Sequence, residues 1–191
     1  MAKSLFTAFF CITLLSSCAL TPQQVNLSPD VNVNKTSLGN GQNIILTTVD
    51  ERTTSTIGNR GIAGFGADIT SDNDVVAIVR LEIIKGLEAQ SFVISNELNN
   101  GPKELRVEIR NLEYKLTSGI FTGTLRTESA LKGICLVNGK RSYEHLYRGG
   151  SEEQVLVAQF ANENSAHINK ALTEVIEDLL NDKSLFSCLA E

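Results

Sequence analysis

The sequence is short of the residues and motifs on which most enzyme active sites depend. Its only histidines are His145 and His167, and neither has a second His, Cys or acidic residue at metal-ligand spacing. The glycine-rich stretch 58–66 lacks the GK[ST] of a phosphate-binding loop and the spacing of a dinucleotide fingerprint, and G-x-S-x-G is absent. We therefore expect no metal, no cofactor and no enzymatic activity, although catalytic carboxylates that meet only in space would escape this test.

Basic residues are also too few for a nucleic-acid-binding protein. The chain has 17 Lys and Arg against 22 Asp and Glu, a formal net charge of −5. Proteins that bind nucleic acid usually carry a basic patch or stripe. No nucleic-acid partner is expected.

A hydrophobic run long enough to cross a membrane is missing as well, but a shorter one stands at the N-terminus. Lys3 precedes an apolar run from Leu5 to Leu15, which is followed by Ser16, Ser17 and Cys18. A run of about a dozen residues is shorter than the roughly 20 that a transmembrane helix needs, and its order is that of a secretory signal. Residues 1–17 are therefore predicted to be a cleaved signal peptide.

Leu15-Ser16-Ser17-Cys18 also resembles a bacterial lipobox, at which the cysteine is lipidated and the leader is cut just before it. On this reading Cys18 becomes residue one and carries an S-diacylglycerol and an N-acyl chain, which together give stable attachment to a membrane. Ala19 follows the cysteine, and by the sorting rule of enteric bacteria this favours the outer membrane of a Gram-negative cell, facing the periplasm. The alternative is a soluble secreted protein in which Cys18 is a free or paired thiol.

Two further cysteines remain once Cys11 is discarded with the leader and Cys18 is lipidated. Cys135 and Cys188 can pair in an oxidising compartment such as the periplasm. The alternative is two separate buried thiols, since free cysteine is among the most buried residue types.

The mature chain divides into a polar N-terminal segment and one domain. Residues 18–42 are rich in Asn, Gln, Ser and Thr and are predicted to be a tether, although alternating Val25, Leu27, Val31 and Val33 would also suit an edge strand. Residues 43–191 are long enough for one domain with a sizeable core.

Several elements of this domain have clear sequence signals. Residues 43–49 form a β-branched strand, and a glycine-rich loop leads from it to a helix on which Val76, Val79, Ile83 and Leu87 recur at helical spacing. A second helix carries the stripe Ile168, Leu172, Val175, Ile176, Leu179 and Leu180, with Asn162 or Asn164 as its cap.

Two irregularities of the central strands are also predicted. Apolar residues alternate at odd positions from Leu105 to Ile109 and at even positions from Leu112 to Leu116, so a bulge near Asn111 is expected. Asn138-Gly139 predicts a two-residue hairpin turn that pairs Val137 with Lys140, Ile134 with Tyr143 and Leu131 with Leu146. The fold class predicted is α+β, with two main helices packed on one face of a two-layer, mostly antiparallel sheet.

The residues most open to a functional role follow the first strand. Asp50 and Arg52, two positions apart, are expected either to form an exposed ion pair or to have the aspartate close the turn through its own side chain, and Gly58 begins the glycine-rich loop. Since loops carry binding more often than framework does, we name Asp50, Arg52 and Gly58 as candidate partner contacts.

In order and spacing, these features resemble the YajG-like family of small bacterial lipoproteins. The resemblance rests on the lipobox, on Asp50-x-Arg52 with Gly58 downstream, on "LRVEIRNLEY" at 105–114, on the long hairpin bearing Tyr143, and on "INKALTEVIEDLLND" at 168–182. The family implies no activity, and a cysteine pair is not part of its pattern.

The sequence thus favours a non-enzymatic envelope lipoprotein whose domain binds an envelope protein or a cell-wall partner. The alternative is a periplasmic hydrolase of wall or lipid material whose catalytic residues meet only in the fold.

Overall fold

The computed structural model describes residues 21–62, 65–95, 103–118, 122–156 and 161–190, so Cys18 lies outside the described residues. The described part contains eight strands and three helices. The strands are β1 (Gln23–Val25), β2 (Asn43–Asp50), β3 (Gly58–Ile62), β4 (Phe65–Ser71), β5 (Val93–Ser95), β6 (Lys103–Ser118), β7 (Thr122–Val137) and β8 (Lys140–Leu156); the helices are α1 (Val75–Ala89), α2 (Ala161–Leu180) and α3 (Lys183–Ala190). None of these helices is long and apolar enough to span a membrane.

The strands form one curled sheet in which β6 is the central strand. One edge of β6 pairs with β7 along its whole length, while the other edge pairs first with β2 and then, near Tyr114, with β3. The pairs β1–β4, β2–β5, β2–β6 and β3–β6 are parallel, and β3–β4, β6–β7 and β7–β8 are antiparallel.

The prediction of a two-layer, mostly antiparallel sheet is therefore wrong, because the sheet is mixed. Parallel partners must be brought together by crossover connections, and here β3, β4 and α1 separate β2 from β5 and β6 along the chain. A sequence pattern marks hairpins but not the strand to which a crossover returns. The two predicted helices are present as α1 and α2, whereas α3 was not predicted.

The glycine-rich stretch, predicted to be a loop, also contains a pair of strands. β3 and β4 pair in antiparallel fashion from Gly58↔Ile69 to Ile62↔Phe65. The connection between β2 and α1 is therefore largely part of the sheet.

The bulge predicted in the central strand is confirmed. The pairing of β6 with β7 shifts register between Ile109 and Asn111, which leaves Arg110 without an opposite residue. Leu105, Val107 and Ile109 before the shift and Leu112 and Tyr114 after it are all buried. The extra residue keeps both halves of β6 facing one core.

The hairpin between β7 and β8 has the predicted turn but not the whole predicted register. Asn138 and Gly139 both have positive φ, as a type I′ turn requires, and Val137 pairs with Lys140. A second shift next to Leu136 then pairs Cys135, not Ile134, with Tyr143 and pairs Leu131 with Tyr147. The buried partner is thus Tyr147 rather than Leu146.

The helices complete the core on the sheet. Asp74 caps α1 by accepting hydrogen bonds from the N–H groups of Val76 and Ala77. The apolar stripe of α2 is buried as predicted, but α2 begins at Ala161, so Asn162 and Asn164 lie in its first turn rather than at the cap. Cys135 of β7 and Cys188 of α3 form a disulfide bridge, with their Cα atoms 6.4 Å apart.

Residues 23–33 lie against the domain. β1 extends the sheet by pairing with β4, and the backbone N–H groups of Asn26, Ser28, Asp30 and Asn32 then donate to side chains of Ser165, Asn169, Thr173 and Glu177 on α2. Two extended residues advance about 6.6 Å and four helical residues about 6 Å, so the two periods match. Val25 and Leu27, on the opposite side of the segment, are almost completely buried. We call residues 23–33 the strap.

Candidate functional site

A groove of about 790 Å³ lies between the loop that joins β2 to β3 and the second half of β6. Its lining comprises Arg52, Thr53, Thr54, Thr56, Ile57, Gly58, Asn59, Asp68, Arg110, Asn111, Leu112, Glu113, Tyr114, Lys115, Leu116 and Thr117. Two of the three candidate contacts, Arg52 and Gly58, therefore lie in the groove, and Asp50 is held against Arg52.

The bulge at Arg110 decides which side chains of β6 face this groove. Because the extra residue reverses the alternation, Leu112 and Tyr114 turn to the core. Glu113, Lys115 and Thr117 are exposed on the opposite face. A regular strand would have sent these polar side chains into the core.

Arg52, a lining residue of the groove, forms a bidentate ion pair with Asp50. The Arg52 Nε donates to Asp50 Oδ1 at 2.9 Å and the Nη2 donates to Oδ2 at 2.7 Å, while the Arg52 backbone N–H also donates to Oδ1. The sequence left an ion pair and an aspartate-closed turn as alternatives, and both occur together. The hydrogen bond from the Arg52 guanidinium lowers the pKa of Asp50 below its ordinary value, against the opposing effect of partial burial.

Unlike an ordinary surface arginine, Arg52 has a buried side chain that is only 6% exposed. Its Nη1 is shielded from solvent and has no hydrogen-bond partner among the described residues. An unsatisfied buried donor costs on the order of 1–3 kcal/mol, more when the group is charged.

Gly58 has a structural reason to be glycine. It starts β3 opposite Tyr114, and a Cβ at this position would lie 2.0 Å from the Tyr114 carbonyl oxygen. Tyr114 N–H donates to the Ile57 carbonyl at 2.7 Å in the same place. The glycine thus lets β3 approach β6 closely enough to close one wall of the groove.

Charged side chains continue from the groove along the open face of β6. Glu108 accepts hydrogen bonds from Arg106 and Arg110 at 3.1 Å each, and Arg106 also lies 3.7 Å from Glu51. Within the groove, Asp68 and Glu113 provide carboxylates and Lys115 a second cation beside Arg110. The groove therefore offers charges of both signs among hydroxyl and amide groups, a surface suited to a polar partner.

The two histidines lie elsewhere, and neither is a lining residue of the groove. His145 contacts the ring of Tyr147 edge-on with centroids 4.8 Å apart, and His167 lies 3.7 Å from Glu153. The described residues include no group of three or more His, Cys, Asp or Glu arranged to hold a metal.

Sequence reasoning missed Arg110, Asn111, Lys115 and Asp68 as residues of this groove. The parity change near Asn111 was a usable signal, because bulges are enriched beside binding and active sites. Asp68 had no such signal. It lies on β4 and reaches the groove only because β4 pairs with β3, which in turn pairs in parallel with β6.

Fold and site together define a mixed α/β domain with a curled eight-stranded sheet and a polar groove beside its central strand. The chain belongs to the family described as uncharacterized lipoprotein, whose model matches residues 29–190, and the resemblance to YajG-like proteins is thereby confirmed.

Solved structures of other bacterial proteins are similar to this chain in fold. A protein of the DUF330 family from Xanthomonas campestris is 12% identical with a TM-score of 0.56, covering 88% of this chain and 95% of its own. A protein described as a neuraminyllactose-binding hemagglutinin homolog from Helicobacter pylori is 8% identical with a TM-score of 0.52, covering 85% and 97%. A minor lipoprotein from Acinetobacter baumannii is 14% identical with a TM-score of 0.48, covering 78% and 90%. At these identities the likeness concerns the fold alone, and no curated protein matches the chain.

Proposed function

We propose that this protein is a lipid-anchored accessory domain of the bacterial envelope that binds a polar partner through the groove beside Arg52. Cys18 holds it at the outer membrane, facing the periplasm, and the partner is another envelope protein or the cell wall. The observation that carries the binding role is the groove of about 790 Å³ itself, whose lining brings the cations Arg110 and Lys115 together with the carboxylates Asp68 and Glu113.

The anchor is supported by the family and by the order of residues around Cys18. The family is one of lipoproteins, and a leader, small residues and a cysteine coincide at the positions a lipobox requires. Gln23, where the strap begins, is the fifth residue after Cys18, so the domain lies within about 17 Å of its lipid attachment.

A binding role is favoured over a catalytic one by the way the charges near the groove are used. Asp50 is committed to Arg52, and Glu108 is shared by Arg106 and Arg110. Paired charges of this kind give an interface its specificity and orientation. Asp68 and Glu113 are the groove carboxylates that could still serve as a general acid or base, and neither histidine lies beside them in the lining.

The anchor is tested by Cys18→Ser, with Cys11→Ser as the matched control because that cysteine lies in the discarded leader. In fractionated cells the Cys18→Ser chain should remain an uncut, unacylated precursor, whereas the control should be processed and recovered with the outer membrane. Normal processing and membrane retention of Cys18→Ser would refute the anchor.

The binding role is tested by Arg110→Glu with Lys115→Glu, compared with Lys35→Glu on the exposed surface away from the groove. Envelope material captured with the unaltered protein after cross-linking should be lost with the double variant and kept with Lys35→Glu. Equal capture by all three proteins, or capture of nothing above background, would count against the groove.

A further inference from the structure

The last strand of the sheet has a long open edge. Among the described residues, β8 pairs with β7 only, so one side of this 17-residue strand has no backbone partner. An unpaired edge presents a row of N–H and C=O groups to which another strand can add. Glu144 and Arg148 are exposed there, and Leu146 between them is partly exposed.

The direction of the free groups follows from Gly150. Its N–H donates to Glu174 Oε2 at 2.9 Å and therefore points away from β7. Because alternate residues of a strand point their backbone groups the same way, the N–H and C=O groups of Glu144, Leu146 and Arg148 also point to the open side.

This open stretch is closed at both ends. Glu174 occupies the N–H of Gly150 at one end, and at the other end Ser142 is the extra residue of a bulge, which interrupts the regular alternation of outward-pointing backbone groups. Ser142 and Gly150 each lie four residues from Leu146. The accessible part of the edge is therefore centred on Leu146.

The charges on this stretch match those of a second copy in only one alignment. In antiparallel self-pairing centred on Leu146, Glu144 of each copy faces Arg148 of the other and the two leucines face each other. Centring on Arg148 would place arginine against arginine and Glu144 against Glu152, and centring on Glu144 would oppose like charges as well. Centring on Gly150 is blocked by Glu174.

We propose that two copies of this chain associate by antiparallel pairing of their β8 edges about a twofold axis at Leu146. The pairing forms six backbone hydrogen bonds, two at the axis and two on either side. It also places Arg148 opposite Glu144 of the other copy. Within its own copy, Glu144 forms ion pairs with Lys132 and Arg141, so Arg148 would join an existing charge cluster. This inference is independent of the groove and goes beyond the binding role proposed above.

The twofold axis is tested with Leu146→Cys in the full anchored protein, treated with a short bismaleimide that reacts only with free thiols. Opposed residues of a hydrogen-bonded pair lie about 5.5 Å apart, so position 146 should cross-link to itself. Gln154→Cys, on the same strand and face, should give at least tenfold less dimer because the two copies of residue 154 lie roughly 54 Å apart at 3.4 Å per residue. Equal yields at both positions, or no dimer at 146, would overturn the proposal.

The register is tested by changing Arg148 in the Leu146→Cys background. Arg148→Glu should reduce the cross-linked dimer at least tenfold because it places two acidic side chains opposite each other, whereas Arg148→Lys keeps the charge and should retain the dimer. Thermal unfolding shows that each variant is folded. An unchanged dimer in Arg148→Glu, or an equal loss in a folded Arg148→Lys protein, would overturn the Glu144–Arg148 pairing.

Discussion

Gly58 shows how one residue sets the position of a whole wall of the groove. The strand that it begins lies so close to β6 that the space for a Cβ is already taken by the Tyr114 carbonyl. Backbone cannot yield as a flexible side chain can, so any larger residue must push β3 away from the sheet.

Gly58→Ala should therefore lower the free energy of unfolding by about 3 kcal/mol, the upper part of the range for overpacking. Chemical denaturation measures this loss, and Ser55→Ala in the exposed loop nearby is the control that should change little. A Gly58→Ala protein as stable as the control would contradict the close approach of β3 to β6.

Asp182 is the residue on which the C-terminal elements converge. Its Oδ2 accepts from the hydroxyls of Tyr143 at 2.7 Å and Tyr147 at 2.6 Å, and its Oδ1 accepts from the N–H groups of Ser184 and Leu185 at the start of α3. Burial alone would raise the pKa of Asp182, but these four hydrogen bonds outweigh it and lower the pKa. Burial and the aspartate together raise the pKa of Tyr147.

A lowered folded-state pKa gives stability that is present above the unfolded value of about 3.9 and lost as the pH falls through the folded value. Asp182→Asn should thus cost about 2–3 kcal/mol at pH 7, since it removes a charged acceptor, and distinctly less at pH 2–3. Unfolding measured across this pH range tests the expectation.

Asp178→Asn, four residues earlier in the last turn of α2, is the matched control. Burial, followed by the charges of Glu174 and Glu177, raises the pKa of Asp178, so removing its charge should leave stability at pH 7 unchanged or higher. Equal losses in the two variants, or a loss in Asp182→Asn that does not depend on pH, would argue against the hydrogen-bond network as drawn.

At the scale of elements, the strap is the segment whose packing differs most from what its polar composition predicts. Its backbone N–H groups donate to α2 and most of its polar side chains are exposed, while apolar residues such as Val25 and Leu27 complete the core. A segment of this composition could equally have been a free tether, and only packing distinguishes the two.

The substitution Leu27→Ala distinguishes a docked strap from a free tether. As part of the core, Leu27 is 1% exposed, and its truncation should cost about 2–4 kcal/mol. Leu38→Ala, in the same N-terminal segment but 45% exposed, should cost almost nothing in the same denaturation experiment. Similar small effects at both positions would mean that the strap is not docked.

The elements that sequence predicted are those with a local cause. The bulge after Ile109, the Asn138-Gly139 turn and the apolar stripe of α2 each follow from a few neighbouring residues. The predicted register beyond the turn was wrong. The extra residue Ser142 lies in a polar stretch, where the sequence does not show which alternate residues face the core.

The parallel pairings and the groove depend on contacts between distant residues. β2 meets β6 more than fifty residues later, and no local pattern specifies that partner. Arg52 was identifiable because Asp50 lies two positions away. Lys115 and Asp68 were not, because only the parallel docking of β3 on β6 brings their strands together.

At the scale of the whole molecule, the anchor proposed at Cys18 would leave only a short linker, which would fix the end of the domain that faces the lipid. Gln23 contacts Asn164 in the first turn of α2, whereas Tyr143 of the β7–β8 hairpin contacts Asp182 beyond its last turn. The 20 residues of α2 separate these two ends by about 30 Å.

We therefore expect a fluorophore at Asn162→Cys to be quenched by spin-labelled headgroups in vesicles that hold the anchored protein. The same probe at Lys140→Cys, on the hairpin, should be quenched much less because the linker allows only about 17 Å of reach. Equal quenching would show that the domain has no preferred orientation and that the strap does not shorten the tether.

The most direct test of the central claim, that an anchored domain binds its partner through the groove, is photo-crosslinking in intact cells. A photoreactive amino acid at Lys115 should form a discrete adduct with envelope material, and this adduct should disappear when Arg110→Glu is added. The same photoreactive residue at Lys35 should form no such adduct. Absence of an adduct at position 115, or the same adduct from both positions, would contradict the account.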